Sequence, residues 1–210
     1  MQEHHLTVPR TARYHTLGDA ATARAVWIVL HGYGQLARYF LQKFEGLEKN
    51  LLIVAPEGLS RFYTDEAHSR VGATWMTRED REHEIADQIT YLDALAKELL
   101  HTTGDVPLNV LGFSQGVATA CRWSLQGRTT ISRLVLWAGG LPPEPTPEQL
   151  QPWNKLELQL VLGTLDEYAG DQELQQQVAR LNLAKVRHEV HRFNGGHELQ
   201  TVMLAKLLSA

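Results

Sequence analysis

An α/β fold, built on a mostly parallel central sheet with helices on both faces and no large lid domain, is what this 210-residue chain predicts. Three observations point there. Short apolar runs alternate with amphipathic stretches along almost the whole length, and such alternation calls for a parallel sheet covered on both sides. One strand-turn-helix junction carries the pentapeptide Gly112-Phe113-Ser114-Gln115-Gly116. The residues with reactive side chains also fall just after apolar runs, where sheets of this kind gather their ligands, beyond the carboxyl ends of the strands.

Taken in order, Ala25 to Leu30 is a β-branched run of strand length, followed by the glycine loop His31-Gly32-Tyr33-Gly34-Gln35. A helical pattern from about Leu36 to Lys49 comes next, then a strand, Leu51 to Ala55, ended by Pro56. Glu57 to Asp80 reads as a long irregular segment. From about Arg81 to His101, Ile85, Ile89, Leu92, Leu95, Ala96 and Leu99 keep the three-and-four spacing of a helix that buries one face. Leu108 to Phe113 is a strand, and Val117, Ala118, Ala120, Cys121, Trp123 and Leu125 mark a short helix that stops near Gly127. Leu134 to Ala138 and Leu158 to Leu162 are strands, Asp171 to Leu181 a helix, Val186 to Phe193 a strand and Glu198 to Leu208 a last helix. Leu141 to Pro147, with four prolines in seven residues, is a rigid surface excursion too short to divide domains. A single domain spanning 1–210 is expected.

At the pentapeptide, a serine stands at the apex of a sharp turn. Strand and helix backbones pass close together there, which is why glycine is needed two residues to either side. A serine hydroxyl is a weak nucleophile until a base takes its proton, and the base needs an acid to fix its tautomer. Of the histidines after Ser114, His188 and His191 lie within a predicted strand, three apart and on opposite faces. His197 follows that strand in Asn194-Gly195-Gly196-His197, where two glycines let the loop turn back to the sheet edge. It is the best base. Asp166, in Gly163-Thr164-Leu165-Asp166-Glu167, follows the Leu158 strand and is the candidate acid, with Glu144 and Glu148 as substitutes. For the oxyanion of a tetrahedral intermediate, the Gln115 amide is one donor. The amide of Tyr33 is the favoured second, with Gly34 and Gln35 as alternatives. His31 precedes the serine and is assigned a structural role.

Bulk numbers exclude other classes. A net charge of −4 gives no basic footprint for nucleic acid, and no run approaches the ~18 apolar residues of a membrane span. The opening Met1-Gln2-Glu3-His4-His5 is unlike a secretory leader. The single cysteine, Cys121, cannot form an internal disulfide and suits a reducing compartment, so the cytoplasm is expected. No phosphate loop or H-E-x-x-H motif occurs, and His4-His5, His188 and His191 do not assemble into a metal set; no metal or cofactor is expected.

On Leu30-His31-Gly32-Tyr33-Gly34, Trp75, Gly112 to Gly116, Ala138-Gly139-Gly140-Leu141, Asp166 and Gly195-Gly196-His197, the chain resembles the phospholipase/carboxylesterase family of α/β-hydrolases. The resemblance implies a lidless α/β-hydrolase fold and a Ser114-His197-Asp166 triad with the Tyr33 and Gln115 amides at the oxyanion. It also implies hydrolysis of small-molecule carboxylic esters or thioesters without a cofactor, often by a homodimer. Gln35 stands where the family usually has Asp, and Leu162-Gly163-Thr164 where it often has His-Gly-Asp, so the family's substrates are not carried over. Acyl transfer to another acceptor and a silent binding module are the alternatives to hydrolysis. Tyr33, Phe62, Tyr63, Trp75 and Leu141 are expected to border an open, shallow acyl site, with Trp75 either its wall or an anchor for the long loop.

Overall fold

The computed structural model describes residues 1–209. Seven strands form one sheet: β1 (Tyr14–Leu17), β2 (Ala25–Leu30), β3 (Leu51–Pro56), β6 (Leu108–Phe113), β7 (Arg133–Trp137), β8 (Glu157–Gly163) and β9 (Glu189–Phe193). Their spatial order is β1-β3-β2-β6-β7-β8-β9, and every pairing is parallel except β1 against β3.

The strands are apolar on both faces because both are covered. In β2, Val26, Ile28 and Leu30 enter one core while Trp27 and Val29 enter the other; in β7, Leu134 and Leu136 oppose Val135 and Trp137. This is the period-two alternation of a strand buried on both sides. Over the first face lie α2 (Arg81–Thr103), α3 (Gln115–Gln126) and α5 (Asp171–Leu183), contributing Leu92, Leu95, Leu99, Val117, Trp123 and Leu181. Over the second lie α1 (Ala37–Leu41) and α6 (Thr201–Ser209), with Phe40, Leu41, Leu204 and Leu207.

Several features depart from the sequence reading, β1 among them, since no strand was expected before Ala25. The helix expected from about Leu36 to Lys49 is only α1 followed by a 3-10 turn, Gln42–Phe44. The segment Glu57 to Asp80 is not irregular throughout: β4 (Ser60–Tyr63) and β5 (Val71–Thr74) pair as a separate antiparallel hairpin. Within the proline-rich excursion, Thr146 caps α4 (Pro147–Leu150) in a reciprocal capping box with Gln149, and Pro147 opens the helix. The last predicted strand begins late, at Glu189, so His188 precedes it.

The buried Glu57 joins several of these parts. Its carboxylate accepts from Arg13 before β1, at 2.7 and 3.0 Å, from Arg61 of β4 at 2.6 Å, and from the Ala37 amide of α1 at 3.3 Å. Burial alone would raise its pKa, but the two guanidiniums overcome that and hold it below the usual carboxylate range.

Candidate active site

Ser114 occupies the junction of β6 and α3 with φ 54° and ψ −118°, a conformation that costs an L-residue of order 1–3 kcal/mol. The strand enters beside Trp137, whose carbonyl accepts from the Ser114 amide at 2.9 Å. A methyl on Gly112 would stand 2.5 Å from the Gly116 carbonyl oxygen, and one on Gly116 would stand 2.3 Å from that of Leu30. Neither fits, so both glycines are dictated by the crossing of helix and strands.

Asp166 and His197 reach this serine from the loops after β8 and β9. The His197 Nε2 lies 2.9 Å from Ser114 Oγ, and its Nδ1 lies 3.1 and 3.0 Å from the two carboxylate oxygens of Asp166. The Asp166 side chain is fully shielded from solvent, whereas Glu167 beside it is exposed. Asp166 Oδ1 also accepts from the amides of Tyr168 and Ala169, each at 2.9 Å. With its carboxylate fixed by two backbone donors, Asp166 holds the imidazole in the tautomer that leaves Nε2 free to accept from the serine. The ring is held between Phe113, 5.0 Å away between centroids, and Tyr168, 4.9 Å away. Tyr168 escaped the sequence reading because it is exposed and carries no motif. Glu144, the first substitute acid, is instead paired with Arg122 at 3.0 Å and with Arg81.

The loop after β2 is ordered by its own polar groups. The Gly32 amide donates to Gln35 Oε1 at 2.9 Å, Gly34 to the Ala73 carbonyl at 2.9 Å, and Gln35 to the Gly32 carbonyl at 3.3 Å. Among the described residues the Tyr33 amide has no such acceptor. Beneath the loop, His31 is wholly buried; its Nδ1 donates to the Gly32 carbonyl at 2.7 Å and its Nε2 accepts from the Gly58 amide at 3.0 Å. Burial pushes its pKa down, so it is a neutral strut. At the start of α3 the Gln115 side chain has its own task, bonding the Trp75 amide at 3.2 Å and the Met76 carbonyl at 3.0 Å.

Of the five residues expected around the acyl site, only Tyr33 and Phe62 come together, their rings 5.0 Å apart. Tyr63 points from the opposite face of the hairpin, against His68 at 4.6 Å. Leu141 belongs to the core. Trp75 is 1% exposed and its indole N–H donates to the His31 carbonyl at 2.8 Å, contacts that suit an anchor for the loop. A cleft of about 410 Å³ opens elsewhere, beside His197, between Phe40, Phe113 and Leu199. The sequence offered no sign of it, because its walls come from segments more than 150 residues apart. A larger groove, about 1150 Å³, lies at the amino ends of β6 and β7, away from the triad loops.

His5, set aside with His4 in the sequence reading, meets partners across space. Its Nε2 lies 3.3 Å from Asp80 Oδ1, the same oxygen that His83 Nδ1 meets at 2.6 Å, and the two rings stack at 4.0 Å. All three residues are exposed. The contact clasps the N-terminal segment to the start of α2.

The doubly covered parallel sheet and a serine turn at the end of its central strand define an α/β-hydrolase. The chain belongs to the phospholipase/carboxylesterase family, whose profile matches residues 16–209. Solved structures agree in fold. An acyl-protein thioesterase 2 from Zea mays is 23% identical, with 95% of this chain and 98% of that one covered and a TM-score of 0.70. A carboxylesterase from Mesorhizobium loti is 17% identical, with 95% of each covered and a TM-score of 0.73. Esterase PE8 is 19% identical, with 95% of this chain and 99% of that one covered and a TM-score of 0.71. No curated protein sequence matches. Among the described residues, no helix is long and apolar enough to cross a membrane.

Proposed function

We propose that this protein is a serine carboxylesterase that cleaves esters or thioesters of small to medium acyl groups through an acyl-enzyme. The observation that carries this reading is the unbroken chain from Ser114 Oγ through His197 to the shielded Asp166 carboxylate. In that reading Ser114 Oγ attacks the acyl carbonyl as His197 Nε2 takes its proton. The negative oxygen of the tetrahedral intermediate accepts from the amides of Tyr33 and Gln115. The intermediate collapses with the proton passing from His197 to the leaving alcohol or thiol, leaving an ester on Ser114. Water then repeats the sequence, His197 acting again as base, and the acid departs. Atoms and charge balance with these groups and water alone. The chain acts as one domain, and its one cysteine, buried Cys121, fits a reducing compartment such as the cytoplasm.

A fluorophosphonate probe tests this directly. Labelling that maps to Ser114, together with p-nitrophenol release from p-nitrophenyl butyrate, is the expected result. A protein that is folded yet neither labels nor turns over would overturn the reading and favour a silent binding module. Product analysis with a competing alcohol separates hydrolysis from acyl transfer.

A further inference from the structure

The cleft beside His197 has a composition that selects its occupant. Leu36, Tyr39, Phe40 and Lys43 line one side and stand at intervals of three and four, so they are one helical face of α1 and the turn after it. His197 and Leu199 face them, with Phe113 between and Val71 of the hairpin beside them. Its volume, about 410 Å³, falls in the range of sites for small organic molecules. The lining is mainly apolar, with Gln35 and His197 as polar side chains and Lys43 and Glu198 as the charged ones. Lys43 is exposed and, among the described residues, pairs with no acid. Arg38 lies outside the lining; its guanidinium sits 4.4 Å over the Tyr39 ring and donates to the Tyr39 hydroxyl at 2.7 Å. The one acid of the lining, Glu198, turns its Oε1 back over Gly195.

A mainly apolar trough that begins at the candidate base and carries a lysine with no acid partner in its lining suits a group that is hydrocarbon along its length and anionic at its far end. We propose that the cleft binds a carboxylate-terminated arm of the substrate, with Lys43 meeting the carboxylate. The assignment rests on the proposed esterase reading, with the scissile bond at Ser114. It narrows the substrates to esters or thioesters with a negative charge a few methylenes from the reacting carbonyl, on either the acyl or the alcohol side.

Matched substrate pairs distinguish the two sides. On the acyl side the pair is mono-p-nitrophenyl glutarate against p-nitrophenyl butyrate; on the alcohol side it is 4-carboxyphenyl butyrate against 4-carbamoylphenyl butyrate. In one pair the anionic member is expected to have the higher kcat/KM, by about fivefold, the scale of an exposed charge contact. That ratio should shrink as salt is raised and fall by fivefold or more in Lys43→Glu, mainly through KM, with Lys43→Arg restoring it. Equal ratios in wild type and Lys43→Glu, in both pairs, would overturn the proposal. A binding measurement separates its fate from that of the esterase reading: calorimetric titration with glutaramate, the amide of glutarate that an esterase does not turn over, on wild type and Lys43→Glu. Lys43-dependent binding in a protein that turned over no ester would uphold the cleft and sink the esterase reading. Ester turnover with neither a Lys43-dependent ratio nor Lys43-dependent binding would do the reverse.

Discussion

Ser114 is held in a left-handed backbone conformation that no glycine relieves, and the chain sustains it because the turn is braced from both sides. The Trp137 carbonyl fixes the residue's own amide, and the Val117 amide donates to the Ser114 carbonyl at 3.0 Å. Strain so confined marks a position chosen for what its side chain does. Ser114→Ala is expected to lower kcat on p-nitrophenyl butyrate by on the order of 10⁴-fold or more while leaving the circular dichroism spectrum unchanged. A variant keeping over a tenth of wild-type turnover would refute the nucleophile assignment. The acid can be tested at single-residue resolution. Asp166→Asn removes the acceptor that fixes the His197 tautomer and should cut kcat roughly 10²–10⁴-fold. Glu167→Gln changes an exposed side chain and should be nearly silent. A steady-state comparison in which the two effects were exchanged would move the acid by one residue.

Between residue and fold, the element that decides the site is the segment after β3, which carries the β4–β5 hairpin and then Trp75. The Trp75 indole bonds the His31 carbonyl, its amide bonds Gln115, and the Gly34 amide bonds Ala73 of β5. The loop after β2 is thereby fastened to this segment from two directions. Trp75→Ala would open a large cavity beneath it and should destabilise the protein by ~3–5 kcal/mol. Calorimetry should show the lower Tm, and esters of every chain length should lose activity alike. A shifted chain-length optimum at unchanged Tm would instead make Trp75 a wall of the acyl site. The N-terminal clasp gives a second test at this scale. The hydrogen bond from His83 to Asp80, with the charge of each on the other, raises the His83 pKa and lowers that of Asp80. A raised histidine pKa favours the folded state at low pH and loses that contribution as pH rises through the folded value; a lowered carboxyl pKa does the opposite. The His83–Asp80 contact should thus contribute most between the two. The melting temperature should decline slightly as pH rises past the raised His83 pKa, and His83→Ala should remove that decline.

For the molecule as a whole, the parallel sheet is what brings Ser114, His197 and Asp166 into one hydrogen-bonded chain. β6, β8 and β9 end at the same edge, so residues 114, 166 and 197 converge although 83 positions separate the serine from the histidine. On the far side of the sheet, Glu57 ties Arg13, α1 and the hairpin into one unit. Because its folded pKa is depressed, its contribution to stability is present at neutral pH and is lost as pH falls through the carboxylate range, about 4. Urea unfolding of Glu57→Gln should show lower stability at pH 7 and a shallower decline into acid than wild type. An identical pH slope in both proteins would show that the ion-pair cluster does not govern acid sensitivity.

Much of this was legible along the chain because its causes are local. A strand covered on both faces is apolar at nearly every position, so β2, β6, β7 and β8 stand out as runs, broken within only at Asn109 and Gln159. The crossing of β6 with α3 demands glycine at 112 and 116, so the serine turn announces itself, and the loops after β8 and β9 follow from the rule that ligands gather at strand ends. What no local pattern carries is which surfaces meet. Trp75 reads as an aromatic in a long loop until the carbonyl of His31 is seen above its indole, and His5 has no visible partner until Asp80 is brought to it. The hairpin strands are four residues each, too brief to impose a period, and β4 is only partly buried. The cleft beside His197 exists only because α1 and the loop after β9, far apart in sequence, pack over the same end of the sheet. The sequence by itself determined the parallel strands, the serine turn and the order of the reactive residues, but not the antiparallel edge strand β1. Tertiary packing decided the loop contacts, the unbonded Tyr33 amide and the shape and charge of the cleft, because those properties belong to pairs of surfaces and not to either one alone.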